Sequence, residues 1–203
     1  GKLCGRAEDV VHDFKPQQVT NLIWACAFFK RVSEGLGLLA ALEKDLDISP
    51  IIFVAWHKEH LCQVHQFLVT CDLEIVNAQL SPRETELLRG IKEANGKLCM
   101  EAFTSQEGEP SQLQRDVAST VRRCGAAFEE EAVDAVSGYS IDILVCEVGR
   151  KGLAIEVDGP WHFLGGRRVP KGSTVLKRRH LEQLGYRAVS VPYWEWGSLR
   201  FTV

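Results

Sequence analysis

At 203 residues, with 45% hydrophobic and 25% charged side chains, the sequence has the make-up of one or two small globular domains. The formal net charge of -3 excludes a polyanion binder that works by bulk charge. No stretch reaches the roughly 18 apolar residues that a membrane-crossing helix needs.

Residues 1–102 read as helices. Phe14-Lys15-Pro16-Gln17-Gln18 opens the first, whose apolar positions Val19, Ile23, Cys26, Ala27 and Phe29 follow a 3.6-residue period. Pro16 suits the first helical turn, where its missing N–H costs nothing. A second helix is predicted over 32–46, with Leu38, Leu39, Leu42 and Leu46 facing inward. Ser49-Pro50 predicts the start of a third, reaching Cys71. Ser81-Pro82-Arg83-Glu84 starts a fourth with a capping box, which Asn95-Gly96 is expected to end in a left-handed cap. The prolines at 16, 50 and 82 recur at offsets of 34 and 32, a spacing that suits stacked helical hairpins.

His57, His60, Cys62 and His65 fall within this half. On one helix they spread over roughly 200°, too far for a single zinc ion to gather, so surface or interface histidines are expected. The seven cysteines are odd in number, scattered and free of any C-x-x-C pair, and most read as reduced core residues. No targeting peptide is visible at Gly1, where the sequence opens in a helix-repeat context.

Ser105-Gln106-Glu107-Gly108-Glu109-Pro110 is polar and contains Gly and Pro, and residues 103–110 read as a linker. Ser111-Gln112-Leu113-Gln114 offers another capping box, for a helix to about Cys124 closed by Gly125. Short β-rich runs follow at 127–133, 139–148, 153–157 and 187–191, with a helix at 174–184 between the last two. The order is αβββαβ over 111–203.

Chemistry concentrates in this second half. Glu156 and Asp158 alternate with Ile155 and Val157, so both acids face one side of a strand. If the preceding strand is an antiparallel neighbour, Asp142 converges on Glu156, and such carboxylates suit a hard cation such as Mg²⁺. Between Gly165 and Arg187 there are seven Lys/Arg against one acid, Glu182, leaving the remainder of the chain at about -9. Such a block attracts polyanions. Arg167, Arg168 and Lys171 occupy a Gly-containing loop, expected to be flexible. Lys177, Arg178 and Arg179 begin the following helix, with Arg178 or Arg179 expected to face solvent. Tyr193, Trp194 and Trp196 come after the last strand, one Trp expected in the core and the other available to stack on a base.

Asp142 followed by Glu156-Val157-Asp158 inside αβββαβ resembles the PD-(D/E)XK nuclease pattern. The stretch from about Ser111 to Trp196 more closely resembles a RAP domain. The likeness rests on Ile141-Asp142, on Ala154-Ile155-Glu156-Val157-Asp158-Gly159-Pro160 with His162-Phe163, on Leu176–Leu184 with Gly185-Tyr186, and on Val191-Pro192-Tyr193-Trp194-Glu195-Trp196. The N-terminal Phe14 to Ala27 segment resembles the helical repeats that accompany RAP domains.

The fold expected from these resemblances is an α-helical repeat-like N-terminal half followed by an α/β, restriction-endonuclease-like RAP domain. They imply an organellar RNA-binding protein, mitochondrial or alternatively plastid, not anchored in a membrane. Its partners would be RNA, ribosomal RNA foremost, and ribonucleoprotein proteins. The lysine of Glu-x-Lys is replaced by Asp158, so holding RNA is implied more firmly than cutting it. A subunit of a mitochondrial ribosome, without a required cofactor, is the leading expectation. The alternative is a Mg²⁺-dependent RNA endonuclease or processing factor using Asp142, Glu156, Asp158 and Lys177, with His162 as a base and Asp142 and Glu156 on the metal.

Overall fold

Two of the three proline-marked starts open helices as the sequence predicts. In the computed structural model, which describes residues 13–46, 53, 56–105, 109–147, 149 and 151–199, Pro16 and Pro82 each occupy the first helical turn. Ser49 and Pro50 lie outside the described residues. The chain divides into two units, the first ending at Gln106 and the second beginning at Glu107.

The first unit holds α1 (Pro16–Phe28), α2 (Val32–Leu46), α3 (Lys58–Ala78) and α4 (Pro82–Thr104). Its core joins Val19, Ile23, Leu36, Leu39, Phe67 and Ile91, each buried on one face of its helix. Phe29 departs from the predicted periodicity. It is the C-cap of α1 and stands 69% exposed, because the helix stops one residue earlier. α3 starts at Lys58 with His57 as its N-cap and runs past Cys71 to Ala78, so it does not extend back to Pro50.

The largest correction concerns α4. Its capping box forms as read: the Ser81 N–H donates to Glu84 Oε2 (2.8 Å) and the Glu84 N–H to Ser81 Oγ (3.3 Å). Asn95-Gly96, however, does not end it. Asn95 is fully buried, accepts from the Phe53 N–H (2.8 Å) and donates to the Ile91 carbonyl (3.1 Å). A side chain that serves a distant backbone amide has no role as a cap, and the helix continues to Thr104. The added turns carry contacts with α3: Cys62 Sγ donates to the Ala102 carbonyl (3.5 Å), and the buried His65 ring lies 4.6 Å from that of Phe103. His65 is thus buried where α3 meets α4, against the sequence expectation of a surface or interface histidine. Cys26, Cys62, Cys71 and Cys99 are buried free thiols, and burial pushes the Cys99 thiol up to about 12.

The second unit opens with α5 (Gln112–Arg123), capped by Ser111, whose Oγ accepts from the Gln114 N–H (3.1 Å). The reciprocal half of the expected box is missing because the Gln114 amide donates to Glu131 Oε1 (2.6 Å) instead. The sheet comprises β1 (Phe128–Val133), β2 (Ser140–Val145), β3 (Leu153–Asp158) and β4 (Arg187–Pro192), in that order. β1–β2 and β2–β3 are antiparallel, while β3–β4 is parallel, and the crossover that a parallel pair requires contains α6 (Gly172–Gln183). Val117 and Ala118 of α5 cover Ile143, Ile155 and Val157. Alternation along β3 sends Glu156 and Asp158 to the opposite face, where side chains of α6 meet them. A final helix, α7 (Tyr193–Leu199), follows β4 directly.

Replacing Asn95 with Ala should lower the unfolding free energy by about 1–3 kcal/mol, because the buried Phe53 N–H loses its acceptor. Urea unfolding should show a reduced midpoint at an unchanged slope.

Candidate nucleic-acid interface

The antiparallel register pairs Ile143 with Ile155, which sets Asp142 opposite Glu156 one step along the ladder. The two acids therefore converge as the sequence predicts, and the Val157 N–H donates to Asp142 Oδ2 (2.7 Å). Lys177 reaches down from α6 and its ammonium pairs with Glu156 Oε2. Asp142, Glu156 and Lys177 thus meet on one side of the sheet. Asp158 joins a second group. Its Oδ2 accepts from Arg178 and from the Ser190 hydroxyl, and His162 Nδ1 lies 3.2 Å from Oδ1.

Electrostatics differ sharply between these neighbouring carboxylates. Burial pushes Glu156 up to about 7, with the Lys177 charge pulling against it and the Asp142 charge adding to it. Burial also raises Asp142 above the ordinary carboxylate value, opposed by Lys177. Burial acts on Asp158 in the same direction, but hydrogen bonds from His162 and Ser190 and the Arg178 charge outweigh it and hold that group low.

Part of this carboxylate surface is occupied by the chain's own cations. The position beside Glu156 Oε2 is filled by the Lys177 ammonium, and Asp158 is committed to Arg178 and Ser190. Among the described residues no group of three His, Cys, Asp or Glu side chains could hold a metal ion.

The cations of α6 therefore point differently from the expectation. Arg178 does not face solvent: its side chain is 26% exposed and packs on Asp158, whose side chain is 1% exposed. Lys177 is drawn inward in the same way, and Arg179 is half-buried. Consecutive helix positions point about 100° apart, and the acids on β3 decide which of them turn inward.

Arg167, Arg168 and Lys171, by contrast, are exposed. They lie on a pinned hairpin, not a flexible loop. Phe163 bridges Pro170, the Leu164 N–H donates to the Val169 carbonyl (2.9 Å), and the Lys171 N–H donates to that of His162 (2.8 Å). Gly165 and Gly166, with φ of 34° and 72°, supply the left-handed turn, and the Arg167 N–H closes it onto the Leu164 carbonyl (2.7 Å). The hairpin rests on α7. Buried Phe163 lies 4.4 Å from the Trp194 ring and 6.1 Å from that of Tyr193, and the Arg168 guanidinium sits 5.3 Å over Trp194.

Trp194 is half-buried in this cluster, whereas half-buried Trp196 packs on the α5–sheet core. Tyr193 keeps 38% exposure. The side chain that sequence reasoning passed over is Trp161, 84% exposed in a one-turn 3₁₀ helix (Pro160–His162) between β3 and the hairpin. Gly159-Pro160 signalled that turn, and an indole on so short an element has little to pack against.

Removing the Arg178 charge tests the packing. Arg178→Ala should destabilise the chain by about 3 kcal/mol, since it strands the buried Asp158 carboxylate; thermal or urea unfolding measures the loss. The raised Glu156 adds a pH signature. Folding takes up a proton between the ordinary value of 4.5 and about 7, so that stabilisation is complete below 4.5 and lost as pH rises through 7. Wild-type stability should therefore fall relative to Glu156→Gln between about pH 5 and pH 8, measured as the difference in unfolding midpoint.

Residues 155–202 match the family model of the RAP domain. A chloroplastic RAP domain-containing protein of Oryza sativa subsp. japonica is 30% identical over 112 residues, 55% of this chain and 17% of that protein. The mitochondrial FAST kinase domain-containing protein 3 of Homo sapiens is 40% identical over 63 residues, 31% of this chain and 10% of that one. FAST kinase domain-containing protein 1, mitochondrial, of Mus musculus is 55% identical over 29 residues, 14% of this chain and 4% of that one. The chain thus spans less than a fifth of the length of each of these relatives. The matched segment takes in most of β3, the hairpin, α6, β4 and α7, the elements that carry Glu156, Asp158, the cations and the aromatics described above, while Asp142 on β2 lies outside it. The C-terminal unit of this chain contains a RAP domain.

Proposed function

We propose that this protein is a non-catalytic RNA-binding protein of an organelle, which holds a sugar–phosphate chain on the hairpin between Trp161 and Lys171. One observation carries the reading: Arg167, Arg168 and Lys171 stand exposed on a pinned element that follows an exposed indole closely in the chain. Rigid cations attract phosphates and release their counterions, and a fixed geometry lowers the ordering cost of binding. The RAP domain match and the mitochondrial and chloroplastic relatives support an RNA partner and an organellar setting.

Holding is favoured over cutting by the acid centre itself. Glu156 and Asp158 are paired with the chain's own Lys177 and Arg178, which favours a structural use of these two carboxylates. The finer reading is an architectural role on ribosomal RNA, as a subunit of a mitochondrial ribosome. Such a role needs backbone contacts from a rigid surface and no chemistry. Co-sedimentation with large ribonucleoprotein particles, reversed by high salt, is the outcome this finer reading requires. Mg²⁺-dependent RNA cleavage that Asp142→Ala abolishes would replace it with the endonuclease reading.

Reversing charge at Arg167 and Arg168 together should weaken RNA binding. It should also flatten the slope of log affinity against log salt by roughly 1.4 to 1.8, the loss of two phosphate contacts. Titrations of the full chain at several salt concentrations measure both effects.

A further inference from the structure

We infer that Trp161 is a stacking platform for an unpaired base, so that the RNA held by the hairpin is single-stranded at that point. This rests on the RNA-binding reading above and adds the class of RNA to it.

An indole left 84% exposed on a folded surface is unusual, since so large an apolar body gains most from burial. Trp161 is also not on a floppy segment. On its C-terminal side the chain passes through His162, whose carbonyl accepts from the Lys171 N–H (2.8 Å), into Phe163, buried against Trp194. Thr174 Oγ1, at the start of α6, donates to the same carbonyl (3.3 Å). On its N-terminal side lies β3, a strand paired on both edges. The ring is therefore presented from a backbone anchored at both ends, and little conformational freedom remains to be lost when a flat partner covers it.

Just after Trp161 in the chain, the hairpin offers a short apolar shelf and a cationic tip. Leu164 and Val169, directly opposed across the hairpin, are 49% and 50% exposed and share one face. Arg167 and Arg168 lie at and just after the glycine turn, and Lys171 lies at the hairpin base. The hairpin from Gly165 to Lys171 contains no acid.

That order favours a nucleic-acid strand over a lipid surface. A loop that inserts into a bilayer carries its apolar residues at the tip and its cations behind them, at the headgroup level. Here the cations are at the tip and the apolar side chains are on the arms. A single strand meets both demands, with phosphates on the guanidinium groups and a base on the indole. A duplex offers only the phosphates, because its base faces are already stacked on one another. Tyr193 and Trp194 are poorer platforms, since both rings already pack in the aromatic cluster under the hairpin.

The experiment compares the full chain with Trp161→Ala and Trp161→Phe on a labelled single-stranded RNA and on the same sequence as a duplex. Trp161→Ala should weaken single-strand binding roughly 5- to 150-fold, the range for losing one base–aromatic stack, and leave duplex binding unchanged. Trp161→Phe should restore most of the loss. The unfolding midpoint of all three should agree, because the side chain is solvent-exposed.

Loss on both forms alike, or on neither, overturns the stacking role while leaving RNA binding intact. A wild-type chain that binds neither form at low salt overturns the RNA reading itself. Wild-type binding to vesicles of anionic phospholipid that Trp161→Ala abolishes, without any preference for single strands, assigns the patch to a membrane and also overturns the inference.

Discussion

The pairing of two buried carboxylates on β3 with two cations on α6 governs the C-terminal unit. Glu156 meets Lys177, and Asp158 meets Arg178, with both acids almost wholly withdrawn from water. A buried ion pair contributes little net stability compared with an apolar pair, since desolvation offsets the attraction. Its consequence lies in the penalty for breaking it. A rotation of α6 that swung Lys177 and Arg178 outward would strand both carboxylates, so the pairing specifies the rotational setting of the helix. Leu176 and Leu181 reinforce that setting through burial, as does His180, whose Nδ1 lies 3.1 Å from the Tyr139 hydroxyl oxygen.

This constraint separates two properties that the sequence runs together. The block between Gly165 and Arg187 reads as one cationic surface. In the fold it divides into an inward set that neutralises the sheet and an outward set on the hairpin. The buried acids thus pair with α6, while the outward cations stand on the hairpin. The hairpin is held by aromatic contacts, with Phe163 as the wedge between its arms and α7, and Arg168 completes the cluster from above. A second polar hub also steadies the unit. Asp134 accepts from the Ser137 N–H, from Lys151 and from the Tyr186 hydroxyl. These bonds overcome the effect of burial and bring its carboxyl down to about 2.

In the helical unit, a comparable tie comes from one amide. Asn95 bonds the Phe53 N–H from inside α4, so the residue that most resembles a helix terminator is a tertiary clamp. The turns beyond it carry Cys99, Ala102 and Phe103 into contact with the core and with α3. Loss of that clamp would expose a backbone donor to an apolar interior, which explains why a polar side chain is tolerated there.

Much of the architecture was written locally. Proline and the Ser81–Glu84 box mark helix starts through the unsatisfied N–H groups they serve, and the short apolar runs mark strands because alternation is a property of extended backbone. The convergence of Asp142 on Glu156 followed from the same alternation once the strands paired. What the sequence by itself determined, then, were the elements and the chemistry each one carries. Only tertiary structure decided which of Lys177, Arg178 and Arg179 turns inward, whether Asn95 caps or clamps, and that Trp161 stays in water. Neighbouring side chains fan around a helix without preference until a packed surface selects among them, and that surface is built from residues far away in the chain.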